Sequence, residues 1–470
     1  MTAEEKRKCE CQKYHGRNHF WDGPGLSRRQ FFALSGTALA GYYFLPVLRP
    51  LETRAQSPSV SLLNTAKTCI YIHLDGAPSH ADTFDLKEGS WTPSNFAPTS
   101  YGNIRWPQGL MPNLAKQMPH LTFVRSARAW ALIHSLGQVW KQIARNPAAA
   151  LGKISPNIGS VVAYEYDKHR TAGQLLPGFI SLNSGSNLVG SGYFAAQYAN
   201  FDVAPSQNGL ANVTHPDGQA RFNTRWSLLH TLDDSLRQNS PMGRRAEDMD
   251  QFYTDAQSLM YNSTINSIFS FTSTDHTAYG GSSFGDACIV ARNIVKSNQG
   301  THFITISLGG WDNHQNIYAA NGIYGSMKQF DPGLAALISD LAGQPGSSGG
   351  KSLLDETLIV AAGEFGRTVG ALNNQNGRDH YLQLSILFAG GGSKGNGQAI
   401  GSTDATGSAT VDPGWSQGRD IKPEDIACTI YSALGIDYTS ELQNDPLHRG
   451  FEYVPFAKFG VYYPVNEVFS

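Results

Sequence analysis

Short apolar runs alternate with longer amphipathic segments along most of this chain, and the runs end in glycines or acids. The stretch that organises the rest is TLIVAAGEFGRTVGALNNQNGRDHY, residues 357–381. Its opening, 358–362, is apolar throughout, as in a strand buried on both faces. Comparable runs are TCIYIHL (68–74), LTFV (121–124), PGFISL (177–182), THFITISL (301–308) and LQLSILFAGGG (382–392). Between them, spacing of apolar positions predicts helices over 131–146, 155–169, 241–269, 284–298, 327–343 and 422–437. Pro332 predicts a break or start inside the fifth of these, while Pro423 and Gly435 bracket the last. Strands alternating with helices predict a three-layer α/β/α sandwich with a mainly parallel central sheet.

In such sheets, ligands collect beyond the carboxyl ends of the strands. The first run ends in Asp75-Gly76, with His80, Asp82 and Asp85 soon after. A later one ends GGWDNH, where Asp312 and His314 share a side if the chain stays extended. The organising run delivers Glu364 and Arg367, then Asp379 and His380 behind the loop NNQNG. Carboxylates with imidazoles suit divalent ions such as zinc or manganese. Asp75, Asp312, His314, Glu364, Asp379 and His380 make a ligand set large enough for two ions, the arrangement that clamps attacking and leaving oxygens in phosphoryl-type transfer. His134 and Ser135 lie near the start of the helix predicted at 131–146, where free amides favour anions, and are the candidate catalytic nucleophiles. Arg367 and Arg378 are candidates to hold an anionic substrate group. Residues 183–239, rich in Gly, Asn, Ser and Thr, read as a loop-rich insertion over the active face, with His215 and Arg221 as surface residues.

The formal charge of -2 shows no global basic bias and argues against a nucleic-acid partner. Near the N-terminus, LSRRQFF (26–32) precedes the apolar stretch ALSGTALAGYYFLPVL, resembling a twin-arginine export signal too short to be an ordinary membrane span. Thr53-Arg54-Ala55 is a suitable cleavage point, which places the mature chain near Gln56 and predicts a periplasmic or secreted protein. The twin-arginine translocase is then its partner during export, and an uncleaved signal leaves it membrane-anchored. The predicted organisation is an extension with signal over 1–55 and a single domain over 56–470. Cys9 and Cys11 form C-x-C-x3-H-x3-H with His15 and His19, inside the segment cleavage removes. Cys69, Cys288 and Cys428 sit in apolar segments, as buried small hydrophobes do.

LDGAPSHADTFD, MPNLAKQ, GGWDNH, EFGRT, GRDH, AGGGSKGNGQAIGSTDATG and DIACTIYSALGID follow in an order that resembles the exported bacterial "domain of unknown function 1501" family, placed in the alkaline phosphatase/sulfatase superfamily. The resemblance spans about 68–450. It implies an alkaline phosphatase/sulfatase-like fold and one or two divalent ions, whether zinc, manganese or calcium. Asp75 matches the first-strand acid of one ion, and Asp312 with His314 the set of the other. Glu364 stands at the acid of an Asp-His pair, Phe365 at its histidine, and His380 at the last metal histidine, with Asp379 as ligand or orienting partner. Where sulfatases carry C-x-P-S-R, this chain has Ala131-Leu132-Ile133-His134-Ser135, and the lack of a cysteine there argues against a formylglycine sulfatase. The implied activity is metal-dependent hydrolysis of a small phosphate, phosphonate or sulfate ester. Two alternatives stay open: a non-catalytic exported binding or assembly protein on a degenerate hydrolase fold, and a carbohydrate-processing enzyme with paired carboxylates.

Overall fold

A computed structural model describes residues 60–185, 187–237 and 243–469. The segment read as an export signal and the Cys9/Cys11 cluster lie outside the described residues. An eight-stranded sheet is built from β1 (Thr68–Leu74), β2 (Leu121–Arg128), β3 (Phe179–Leu182), β4 (Phe201–Val203), β5 (Phe303–Leu308), β6 (Thr357–Ala362), β7 (Gln383–Ala389) and β8 (Gln398–Ile400), in the order β8-β2-β7-β6-β1-β5-β3-β4. All neighbouring pairs are parallel except those of β7, which runs against both β6 and β2.

The longer helices are α1 (His134–Ile143), α2 (Ile158–Asp167), α3 (Gly218–Arg237), α4 (Arg244–Leu259), α5 (Ser283–Ser297), α6 (Ile323–Ala342) and α7 (Pro423–Ala433). Side chains alternate along a strand, and β1 shows the consequence. Ile70, Ile72 and Leu74 join the core under α5 and α6, while Cys69 and Tyr71 join the core under α2 and α7. The expected three layers follow. Cys69, Cys288 and Cys428 are buried and free. Among the described residues, no helix is long and apolar enough to cross a membrane.

Three expectations need correction. Residues 183–239 are not loop throughout: they supply the edge strand β4 and the twenty-residue α3. The 241–269 segment is two helices, α4 and Ser263–Phe269, because Tyr261 adopts a left-handed φ of 58° and Asn262 caps the second by accepting from Ile265 N. Pro332 neither starts nor ends α6 but sits inside it. Beside it, the buried Asp331 carboxylate accepts from Asn113 N and Leu114 N, capping the short helix Pro112–Ala115.

Two contacts fix where the central strands stop. Asp75 N donates to Leu308 O at 2.9 Å, extending the β1–β5 ladder past Leu74. Gly76 then takes φ +108°, and a Cβ there would lie 2.6 Å from Asp312 N. Gly76→Ala therefore combines backbone strain with a clash against the turn carrying Asp312, and should cost about 1–3 kcal/mol or more, read as a fall in the urea midpoint.

Candidate metal centre

Neighbouring parallel strands β6, β1 and β5 end at one edge of the sheet and release Glu364, Asp75 and Asp312 there. Trp311 sets the exit from β5: its indole is buried and donates to Leu308 O at 3.0 Å. His380 precedes rather than follows a strand, yet reaches the same edge because β7 enters where its neighbours leave. A two-residue ribbon pairs His380 with Arg367 and Tyr381 with Gly366. Beside it, Asn373 accepts from Gln375 N and Gly377 N and donates to His314 O at 3.1 Å, so the NNQNG loop holds the His314 segment.

Four side chains converge: His134, Asp312, His314 and His380 each offer a donor atom, and these lie within 4.8 Å of one another. Each imidazole has its Nδ1 engaged by an acceptor. His134 Nδ1 meets Glu364 Oε1 at 2.6 Å, His314 Nδ1 meets Asp379 Oδ1 at 2.8 Å, and His380 Nδ1 meets Leu132 O at 2.7 Å. Carboxylates and carbonyls only accept, so each Nδ1 carries a proton, and in the neutral imidazole each Nε2 presents a lone pair. Those of His314 and His380 face each other at 2.9 Å, and that of His134 is buried without a hydrogen-bond partner. Asp312 Oδ1 lies 3.2, 3.1 and 3.7 Å from the Nε2 atoms of His134, His314 and His380. Ligands about 2.0 Å from a tetrahedral zinc stand about 3.3 Å apart. Lone pairs converging at this spacing repel one another and fit a shared cation. With three nitrogens and one oxygen the set suits zinc better than calcium, which prefers oxygen.

The charges nearby fit the same picture. The Glu364 bond raises the pKa of His134 above the ordinary histidine value, so without an ion a proton competes for Nε2. Burial raises the pKa of Glu364, but the His134 hydrogen bond and the Lys141 charge outweigh it and hold the carboxyl below the glutamate norm. Burial alone would likewise raise Asp312, which Arg367 and the histidines bring down. Burial lowers His380. The His134, His314 and His380 side chains keep 26%, 39% and 22% of their surface exposed, so a ligand can reach the group.

Not every expected site residue joins this group. Asp312, His314 and His380 do; Asp75, Glu364 and Asp379 stand outside it. Glu364 and Asp379 instead orient His134 and His314, and Asp379 serves His314 rather than its sequence neighbour His380. Asp75 faces Lys141 at 3.5 Å, and burial raises its pKa. His134, read as a candidate nucleophile, belongs to the donor group. Ser135 is exposed and hydrogen-bonded to none of the four, because one helical step turns it away from the sheet.

The arginines are internal as well. Arg367 donates to Ala77 O at 2.9 Å, Gly76 O, Arg378 O at 3.2 Å and Asp312 Oδ1 at 2.6 Å, and its Nη1 lies 3.4 Å from His314 Nε2. Arg378 is fully buried, paired with Asp82 at 2.6 and 3.2 Å and donating to Thr368 O and Gly370 O. Both guanidinium groups are buried and held by the protein's own acceptors. His80 bonds Gly407 O and Asp85 pairs with Arg125 and Lys87, all away from the group. Phe365 packs its ring on His134 and His380, centroids 4.8 and 4.5 Å away, and so forms an apolar wall.

Sequence reasoning missed the stripe on α1. His134, Gln138 and Lys141, at i, i+4 and i+7, share one face and all turn to Glu364, at 2.6, 3.2 and 3.9 Å. Polar residues at that spacing on the sheet-facing side of an amphipathic helix were the available signal.

No curated protein matches this chain. Among solved structures, the chain is similar to Ps i-CgsB in complex with k-i-k-neocarrahexaose, at 10% identity and TM-score 0.38, covering 86% of this chain and 78% of that one. It is also similar to a protein in the alkaline phosphatase superfamily from Vibrio parahaemolyticus (10% identity, TM-score 0.34, covering 82% and 74%). A putative sulfatase from Bacteroides thetaiotaomicron gives 10% identity and TM-score 0.37, covering 80% and 71%. Similarities this remote do not bear on the chemistry of the site. The sequence itself is decisive: residues 66–447 match the family described as "Protein of unknown function (DUF1501)", and the chain belongs to that family.

Proposed function

We propose that this protein is a metal-dependent hydrolase of small phosphate, phosphonate or sulfate esters, with a divalent ion held by His134, Asp312, His314 and His380. The observation that carries the reading is the set of three Nε2 lone pairs, each fixed by a partner on Nδ1, aimed at one carboxylate oxygen. A divalent ion satisfies all four donors at once, whereas a proton on Nε2 satisfies one imidazole at a time. A bound ion supplies Lewis-acid polarisation of an ester oxygen. The chain does the rest. Glu364, Asp379 and Leu132 O aim the imidazoles, Arg367 neutralises Asp312, and Phe365 keeps water from one side. The open side, where Asp312 is 49% exposed, admits the substrate's anionic group. Export through the twin-arginine route, to the periplasm or beyond, completes the proposal.

One observation favours a second reading, a non-catalytic binding protein: among the described residues no hydroxyl is hydrogen-bonded to the four-donor group, so no covalent nucleophile is in place. Metal retention without turnover across phosphate, phosphonate and sulfate esters is its signature. Ester turnover that stops on chelation and returns with zinc establishes the hydrolase, whereas turnover that survives chelation contradicts metal dependence.

Two substitutions test the site. His380→Ala removes a ligand and should abolish metal retention and activity together, read by elemental analysis and ester turnover; full metal content in that variant removes the assignment. Glu364→Gln keeps the carbonyl that accepts from His134 but removes the charge, and should weaken zinc binding by about 10–100-fold, read by competition with a chromogenic chelator.

A further inference from the structure

Lys141, the last member of the α1 stripe, is outside the donor group yet deeply placed. Its side chain is 5% exposed, and its ammonium lies 3.5 Å from Asp75 Oδ1 and 3.9 Å from Glu364 Oε2. The ammonium also donates to Ala362 O at 3.2 Å, which ties it to the last residue of β6. Glu364 Oε2 is buried and has no hydrogen-bond donor. Two carboxylates from adjacent strand ends, facing a common point with one oxygen unsatisfied, are the makings of a second cation site. Here the cation comes from the chain itself.

We propose that Lys141 is a built-in counter-ion standing where a second divalent ion would otherwise bind, so that the protein takes up one ion only. This rests on the four-donor metal site proposed above. The local charges agree with it. Asp75, Asp312, Glu364 and Asp379 are opposed by Lys141 and Arg367, and with neutral imidazoles two negative charges remain, which one divalent ion balances. A second ion would leave excess positive charge in a partly buried site, where it is poorly screened. The arrangement also couples the two halves of the site through Glu364, which faces Lys141 with one oxygen and holds His134 with the other.

The test is zinc stoichiometry and affinity of the full chain, stripped of metal and dialysed against zinc chloride. Wild type should hold one equivalent. Asp75→Asn should also hold one, with affinity changed by far less than the tenfold or greater loss that follows damage to a ligand or its partner. Lys141→Ala, checked for folding by its melting transition, should take up two. Two equivalents in wild type, loss of the ion in Asp75→Asn, or a single equivalent in folded Lys141→Ala would each overturn the proposal. If Lys141→Ala does not fold, the charge-balanced pair Asp75→Asn with Lys141→Met decides: one equivalent at wild-type affinity supports the proposal and loss of the ion overturns it. Failure of the underlying site gives a different result, no zinc in wild type, and both readings then fall. Two equivalents in wild type, lost in part in His380→Ala, would leave the site standing and remove only the role of Lys141.

Discussion

The structure around the site depends on one buried carboxylate. Glu364 leaves the end of β6 with its side chain fully buried, and one oxygen receives Gly76 N at 3.1 Å, His134 Nδ1 at 2.6 Å and Gln138 Nε2 at 3.2 Å. A charge held away from water is costly unless it is paired and hydrogen-bonded. Satisfying this one brings together the turn after β1, the start of α1 and the end of β6. Gly137 allows the approach, since a Cβ there would already lie 3.0 Å from Glu364 Cβ. The same bonds fix the tautomer of His134, so a requirement of burial becomes a ligand orientation.

The reversed strand β7 is the second constraint. Parallel strands deliver their following residues to one edge, and the residue before a strand would ordinarily sit at the opposite edge. Because β7 runs against β6 and β2, His380 and the 366–381 ribbon return to the edge where Asp312 and Glu364 emerge. Arg367 then locks ribbon to sheet by donating to backbone oxygens of Gly76, Ala77 and Arg378 as well as to Asp312. Its burial inside this network spends the guanidinium on the protein's own acceptors.

Much of this was legible in the chain. Continuous apolar runs marked β1, β5, β6 and β7, and the groups beyond them included Asp312, His314 and His380. What the strand pattern could not show was the partner of each group. Asp379 is adjacent to His380 in sequence but orients His314, because the Asn373 turn folds the loop back over that histidine. His134 is remote in sequence from the others, and the stripe it forms with Gln138 and Lys141 marks a polar helix face without showing which strand end that face meets. Arg378 looked like a site residue and forms a buried pair with Asp82, since a charge within a motif reads alike whether it faces solvent or its counter-charge. The helix at 218–237 was obscured by its polar composition, although Phe222, Trp226 and Leu229 recur at helical spacing.

The central claim is that three histidines and one aspartate hold a single ion. X-ray absorption at the zinc edge of the zinc-loaded protein examines that shell directly. The account predicts a first shell of nitrogen and oxygen at about 2.0–2.1 Å with the multiple-scattering signature of three imidazoles. A shell of oxygens alone, or one with a single imidazole, would contradict it.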